Sequence, residues 1–173
     1  HMTENGVRFT TREYQRRIAK TRSVMATKGL EAIIVSDPSN MSWLTGYDGW
    51  SFYVHQGVIL THQGDPVWWG RAMDMLGARR TVFMAGDANI RGYDDTFVQN
   101  PDKHPMQELA VLLCELGLEN ARIGVEMDNY YYSAAAHFAL TAGLPAAQFH
   151  DATGLVNWQP APYTHLTLPP RQP

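Results

Sequence analysis

The stretch of this sequence richest in chemistry is Trp43 to Gln56, WLTGYDGWSFYVHQ, where five aromatic rings and one imidazole surround Gly46 and Gly49. Glycine lets a backbone come close to a ligand, an aromatic face attracts a cationic group, and His55 and Gln56 offer directed hydrogen bonds. Such a segment can form one edge of a small-ligand site. It can equally be a loop and strand whose rings bury against a sheet, since aromatic side chains dominate cores. If it is extended, Phe52, Val54 and Gln56 share one face, and Tyr53 and His55 the other. The two sets then serve one pocket only where a bulge intervenes.

Other chemistries are missing. There is no Gly-rich phosphate loop, no G-x-S-x-G elbow, no H-E-x-x-H and no paired C-x-x-C, and the seven histidines are scattered. Cys114 excludes an internal disulfide by being alone; inside a leucine-rich helix it reads as a small buried hydrophobe. The acidic pairs Asp94-Asp95 and Glu126/Asp128 read as turn and cap residues, with Asp128 capping a helix. Asn40-Met41-Ser42 fits the glycosylation sequon by chance only.

The whole chain bounds these readings. With 173 residues, 45% hydrophobic and 18% charged, it suits one folded domain. A net charge of −3 argues against a basic nucleic-acid surface. No apolar run reaches the roughly 20 residues of a membrane span, and the polar start has no signal-peptide core. A cytoplasmic protein fits this composition. His1-Met2 reads as a cloning scar within a flexible 1–8. Residues 160–173, with five prolines, read as a disordered or vector-derived tail that adds nothing to the core.

The elements that must position the aromatic segment follow from periodicity and caps. Thr10 and Glu13 predict a capping box for a helix carrying Tyr14, Ile18, Thr21 and Met25, ending at Gly29. Strands are predicted at 31–36, 52–60 and 66–69, the last two forming a hairpin through Gly64-Asp65, with weaker ones at 81–84 and 89–93 and a last short one at 147–150. Ser39 to Thr45 predicts a short helix after Asp37-Pro38, and 73–80 another. Pro105 opens a helix striped by Met106, Leu109, Leu113 and Leu116 and closed by Gly117. A strand at 122–126 leads to a helix from Tyr130 to Thr141 closed by Gly143. Asp151 caps a final turn holding Leu155 and Trp158. The alternation implies an α/β fold, a mixed sheet with helices on both faces.

The run from Arg16 to Tyr47, RRIAKTRSVMATKGLEAIIVSDPSNMSWLTGY, resembles the N-terminal domain of the creatinase, prolidase and Xaa-Pro aminopeptidase superfamily, the pita-bread hydrolases. D-P-S-N-x-x-W-L-T-G at 37–46 is close to the family pattern. YDGWSFYVHQGVIL, PVWWGRAMD, GARRT, HPMQELA, RIGVEMDNYYYSA and DATGLVNWQ together resemble its ectoine-hydrolysing branch. The resemblance covers about 9–159.

The resemblance implies a ribonuclease-H-like mixed sheet flanked by helices, followed in the family by a longer catalytic domain. That domain holds the family's catalytic histidine and, in the peptidases, two Asp, one His and two Glu metal ligands. None of these falls in this chain, which departs from the family after Gln159. So the resemblance implies an inactive N-terminal fragment with no cofactor of its own, a divalent metal in the catalytic domain being left open. It further implies a lid and dimerisation module of a cytoplasmic homodimeric C–N hydrolase, lending Trp50, Phe52, Tyr53, His55 and Gln56 to the partner subunit's site. Phe52 matches a substrate-touching Phe of creatinase, while creatinase's Arg falls at Val54. That departure favours another small zwitterion, ectoine, opened to an N-acetyl-diaminobutyrate. Trp50, Phe52 or Tyr53 would face its amidinium, and His55 or Gln56 its carboxylate. An Xaa-Pro dipeptidase or aminopeptidase, a creatinase, and a free-standing osmolyte-binding module are the alternatives. No nucleic-acid or membrane partner is implied, and no long acidic tail supports a histone-chaperone role.

Overall fold

The computed structural model describes residues 9–49 and 54–157. Helix α1 (Thr11–Thr27) starts where Thr10 Oγ1 accepts the Glu13 backbone N–H at 3.3 Å. Only this half of the expected capping box forms. The Glu13 carboxylate turns instead to Arg16 and Arg17, at 2.7 and 3.1 Å. Leu30 N–H reaches back to Met25 O, ending α1 at Gly29 as expected; Leu118 N–H to Leu113 O does the same at Gly117 for α4 (Pro105–Glu115).

The remaining elements are β1 (Ala32–Val35), α2 (Pro38–Thr45), β2 (Gly57–Thr61), β3 (Val67–Arg71), α3 (Met75–Thr81), β4 (Ile90–Tyr93), β5 (Arg122–Val125), α5 (Ala134–Gly143) and β6 (Gln148–Asp151). One sheet runs β4-β3-β2-β1-β5-β6. β2 is antiparallel to both neighbours, and the other pairs are parallel. All four β1 residues are buried because helices cover both faces. Ala32 and Ile34 pack with the α4 and α5 layer; Ile33 and Val35 pack with Ile18, Met41, Leu44 and Ala78 of α1, α2 and α3. The mixed, two-faced, ribonuclease-H-like expectation therefore holds.

Several expectations fail for physical reasons. The strand expected at 52–60 starts at Gly57, and Val54 to Gln56 are outside the ladder; Trp50, Phe52 and Tyr53 lie outside the described residues. Thr81 to Met84 is no strand. Thr81 closes α3, Phe83 N–H bonds Thr45 O, and Val82 and Met84 bury against the α1–α3 layer rather than in the sheet.

Among the described residues Asp128 caps no helix. Asn129 Oδ1 takes the Tyr131 N–H, a turn absorbs the tyrosines, and Ser133 Oγ starts α5 by accepting Ala136 N–H at 3.1 Å. Tyr130 is 88% exposed while Tyr132 is buried. Leu116, one residue past α4, leaves the apolar stripe and is exposed. Cys114 is also exposed, because it lies off the face that carries Leu109 and Leu113. Asp94 does cap, accepting Thr96 N–H at 2.8 Å, and Asp151 holds the final turn through Thr153 N–H. Among the described residues no helix is long and apolar enough to cross a membrane.

Candidate functional site

In the chain the aromatic segment leads from α2 to β2, so where its described ends sit depends on what fixes α2. β1 and β5 run parallel and end side by side, which brings Glu126 beneath the start of α2. Its carboxylate is 4% exposed and accepts Ser36 N–H at 2.6 Å, Asp37 N–H at 2.9 Å and Asn40 Nδ2–H at 2.7 Å. Burial pushes this carboxyl up, against the pull of the three donors. Asp37 caps α2 by accepting Asn40 N–H, and Asn129 Nδ2 donates to its other oxygen. The D-P-S-N motif is thus a device for seating α2. Asn40 is buried within it, which closes the sequon to glycosylation.

At the far end of α2, Gly46 adopts φ +87° and turns the chain out of the helix. Tyr47 then packs on Trp68, ring centroids 5.5 Å apart, and burial pushes its hydroxyl up to about 12. Trp43, the other described ring of the stretch, lies under the Arg17 guanidinium at 5.1 Å. For these two rings the packing reading is the right one.

The structure separates His55 from Gln56. Gln56 is buried. Its Oε1 accepts Tyr47 O–H at 2.9 Å, and its Nε2 donates to Gly49 O at 3.3 Å. It thereby holds the two ends of the loop together, beside an open hollow of about 530 Å³ lined also by Arg71 and Arg80. Arg71 is fixed by Asp74, with Nε–Oδ2 and Nη2–Oδ1 both 3.2 Å, and by Asp95 at 3.8 Å. Arg80 has no partner among the described residues.

His55 faces the other way. With Val54 it lines a cavity of about 170 Å³ beside Tyr93, Lys103 and His104. Tyr93 O–H donates to His55 O at 2.6 Å, and the two imidazole centroids are 4.7 Å apart. Burial, then the neighbouring His104, pulls His55 down to about 4. So Val54 and His55 share a pocket that strict strand alternation denied them, because the strand has not yet begun. Among the described residues no three His, Cys, Asp or Glu side chains gather as a metal site.

The lowered His55 has a consequence with a fixed sign. His55 titrates near 6.5 in an unfolded chain and near 4 when folded. Its contribution is complete above about pH 6.5 and is lost as pH falls toward 4. Thermal unfolding between pH 7 and 4 is expected to show a loss on the order of 3 kcal/mol that His55→Gln removes. An unaltered profile in that variant would locate the acid sensitivity elsewhere.

Sequence reasoning passed over four participants. Tyr47 was counted as a ring and not as the anchor of Gln56. Arg71 sits at the end of β3 and Tyr93 at the end of β4, neighbours only once those strands pair in parallel. His104 had a local signal: Pro105 at the first helical position marks the residue before it as the cap.

Known proteins share this fold. The family described as Creatinase/Prolidase N-terminal domain matches residues 17–159. The chain is 53% identical over 158 residues to ectoine hydrolase of Halomonas elongata, covering 91% of this chain and 39% of that protein. It is 38% identical over 151 residues to the uncharacterized hydrolase/peptidase y4tM of Sinorhizobium fredii, covering 87% of this chain and 38% of that protein. It therefore spans about two fifths of the length of these relatives. The Creatinase/Prolidase N-terminal domain of an X-Pro dipeptidase from Streptococcus pyogenes superposes with a TM-score of 0.66 at 21% identity, covering 83% of this chain and 98% of that one. A proline dipeptidase from Streptococcus agalactiae gives 0.65 at 18% identity, covering 84% and 99%. At those identities the two structures speak for the fold alone. With the family's profile matched across the sheet and both helical layers, the chain belongs to the creatinase/prolidase N-terminal domain family.

Proposed function

We propose that this chain is the substrate-covering and dimerising domain of a cytoplasmic C–N hydrolase that opens the ring of ectoine. The observation that carries the reading is the 53% identity to ectoine hydrolase over 158 residues, 91% of this chain. Water would add across the amidine in the catalytic domain, and this domain would contribute to the partner subunit's site without catalysing by itself. Trp50, Phe52 and Tyr53 would offer aromatic faces to the delocalised amidinium, worth about 0.5–2 kcal/mol. His55, whose ring is open to a cavity, is better placed for the carboxylate than Gln56, whose amide already bonds Tyr47 and Gly49. Val54, at the position of creatinase's arginine, is packed in the core and supplies no charge, which supports a substrate other than creatine.

The deciding experiment uses the full-length protein, with and without added divalent metal, incubated with ectoine while the ring protons are followed by NMR. Ring opening is expected. Cleavage of an Xaa-Pro dipeptide with ectoine untouched would transfer the reading to the peptidases. In the same enzyme, Phe52→Ala is expected to raise KM roughly 2- to 30-fold. Unchanged kinetics would remove Phe52 from the site.

A further inference from the structure

The cavity beside His55 is built around an imidazole locked as a donor. His104 Nδ1 accepts the Met106 backbone N–H at 3.1 Å. A neutral imidazole used as an acceptor at Nδ1 keeps its proton on Nε2, and burial holds His104 toward the neutral form. Nε2–H has no partner among the described residues, and neither does either nitrogen of His55, whose ring packs at 4.7 Å. Lys103 shares the lining, its ammonium 5.3 Å from the Phe97 ring centroid. Asp94 feels the charge of Lys103, but its carboxylate is held by Thr96 N–H. Gln99, on the same rim, is the one non-glycine among the described residues with left-handed backbone, φ 51°. A volume of about 170 Å³ admits a small organic acid or several waters. Two imidazoles invite comparison with a metal site. The chemistry is against it, because His104 would have to surrender its Nε2 proton while Nδ1 stays engaged.

We propose that this cavity is a carboxylate site, in which His104 Nε2–H and Lys103 Nζ join an N–H of His55 in donating to the oxygens of a small organic acid, the His55 ring packing against that of His104. The acid is taken to be the substrate's own carboxylate, and to that extent the inference rests on the ligand-covering reading above. Neither His104 nor Lys103 lies in the aromatic segment, and a neutral Nε2–H donor paired with the Lys103 ammonium fixes orientation where an aromatic wall does not.

The test begins with this chain and acetate. Side-chain nitrogen–proton NMR should first show His104 as the Nε2–H tautomer. Acetate, titrated against chloride at matched ionic strength, should then shift the His104 and His55 signals saturably. His104→Asn keeps an oxygen to cap Met106 N–H and removes the Nε2 donor, whose position the shorter Asn amide does not reach. It is expected to weaken acetate about tenfold or more, as is Lys103→Met. Shifts that never saturate, or that survive His104→Asn unchanged, overturn the site. In the full-length enzyme the same variant should raise KM about tenfold with kcat retained. Acetate binding with unaltered KM would overturn its assignment to substrate. Failure of ectoine turnover in the wild-type enzyme is read in the ring-opening assay, so the two ideas fall separately.

Discussion

Replacing Glu126 with Ala is expected to cost at least about 3 kcal/mol, a large part of the 5–15 kcal/mol that holds a typical domain together. The loss comes from the donors left behind. Ser36 N–H, Asp37 N–H and Asn40 Nδ2–H all point at this carboxylate inside the fold, and Ala offers them nothing. Gln at the same position is expected to cost less than about 1 kcal/mol. Its Oε1 can keep both backbone donors, and its Nε2 can face Asn40 once that amide turns over to present Oδ1. The pH dependence separates the two forms further. Burial raises the Glu126 carboxyl above its ordinary 4.5. Its contribution is therefore complete below about 4.5 and diminishes as pH rises through the folded value. Glu126→Gln resembles the protonated acid, so it should gain on the wild type between pH 4.5 and 8. Urea denaturation at the two pH values measures both effects. Wild-type stability in Glu126→Ala would mean that water can stand in for the carboxylate and that α2 is seated by something else.

That network shows what a sequence can and cannot disclose. Asp37, Pro38 and Asn40 announce a helix start by local rules, and the helix is where those rules put it. Glu126 is 86 residues from Asn40 and becomes its partner only when β1 and β5 lie parallel. Nothing in the local pattern marks it, and beside Asp128 it was read as one half of an acidic turn. The aromatic segment has the opposite problem. Its composition is conspicuous, yet alternation misplaced His55 and Val54 because a period of two applies only inside a ladder, and β2 starts at Gly57. The tyrosine run misled similarly: Asp128 satisfies the residue type for a cap, but Ser133 does so at the start of the small, helix-forming run Ala134 to His137. Long, periodic elements such as α1 and α4 were legible to within a residue or two. The site was legible as a segment and not as a geometry, since its walls come from α2, β3, β4 and the approach to α4.

Gly46→Ala tests whether the exit from α2 controls that geometry. Two costs combine there. At φ +87° a side chain is strained, by roughly 1–2 kcal/mol. In addition a Cβ would meet Thr81 O and the Tyr14 hydroxyl at 2.8 Å each. Backbone oxygen cannot swing aside, so either α3 or the loop after α2 must move. Gly64 provides the control. It has φ +78° in the β2–β3 turn, and a Cβ there meets nothing within 4 Å. Gly64→Ala is expected to lose only the conformational part, about 1 kcal/mol, and Gly46→Ala at least about twice that. Equal losses in thermal unfolding would show that the Thr81 and Tyr14 contacts relax freely. The functional consequence separates them more sharply. Tyr47, one residue on, anchors Gln56, and Gln56, just before β2, is tied to Gly49; these two described residues bracket Trp50, Phe52 and Tyr53 in the chain. A shift at Gly46 is transmitted along that chain of contacts, whereas the β2–β3 turn takes no part in it. In the full-length enzyme kcat/KM should therefore fall for Gly46→Ala and stay near wild type for Gly64→Ala, even where both fold.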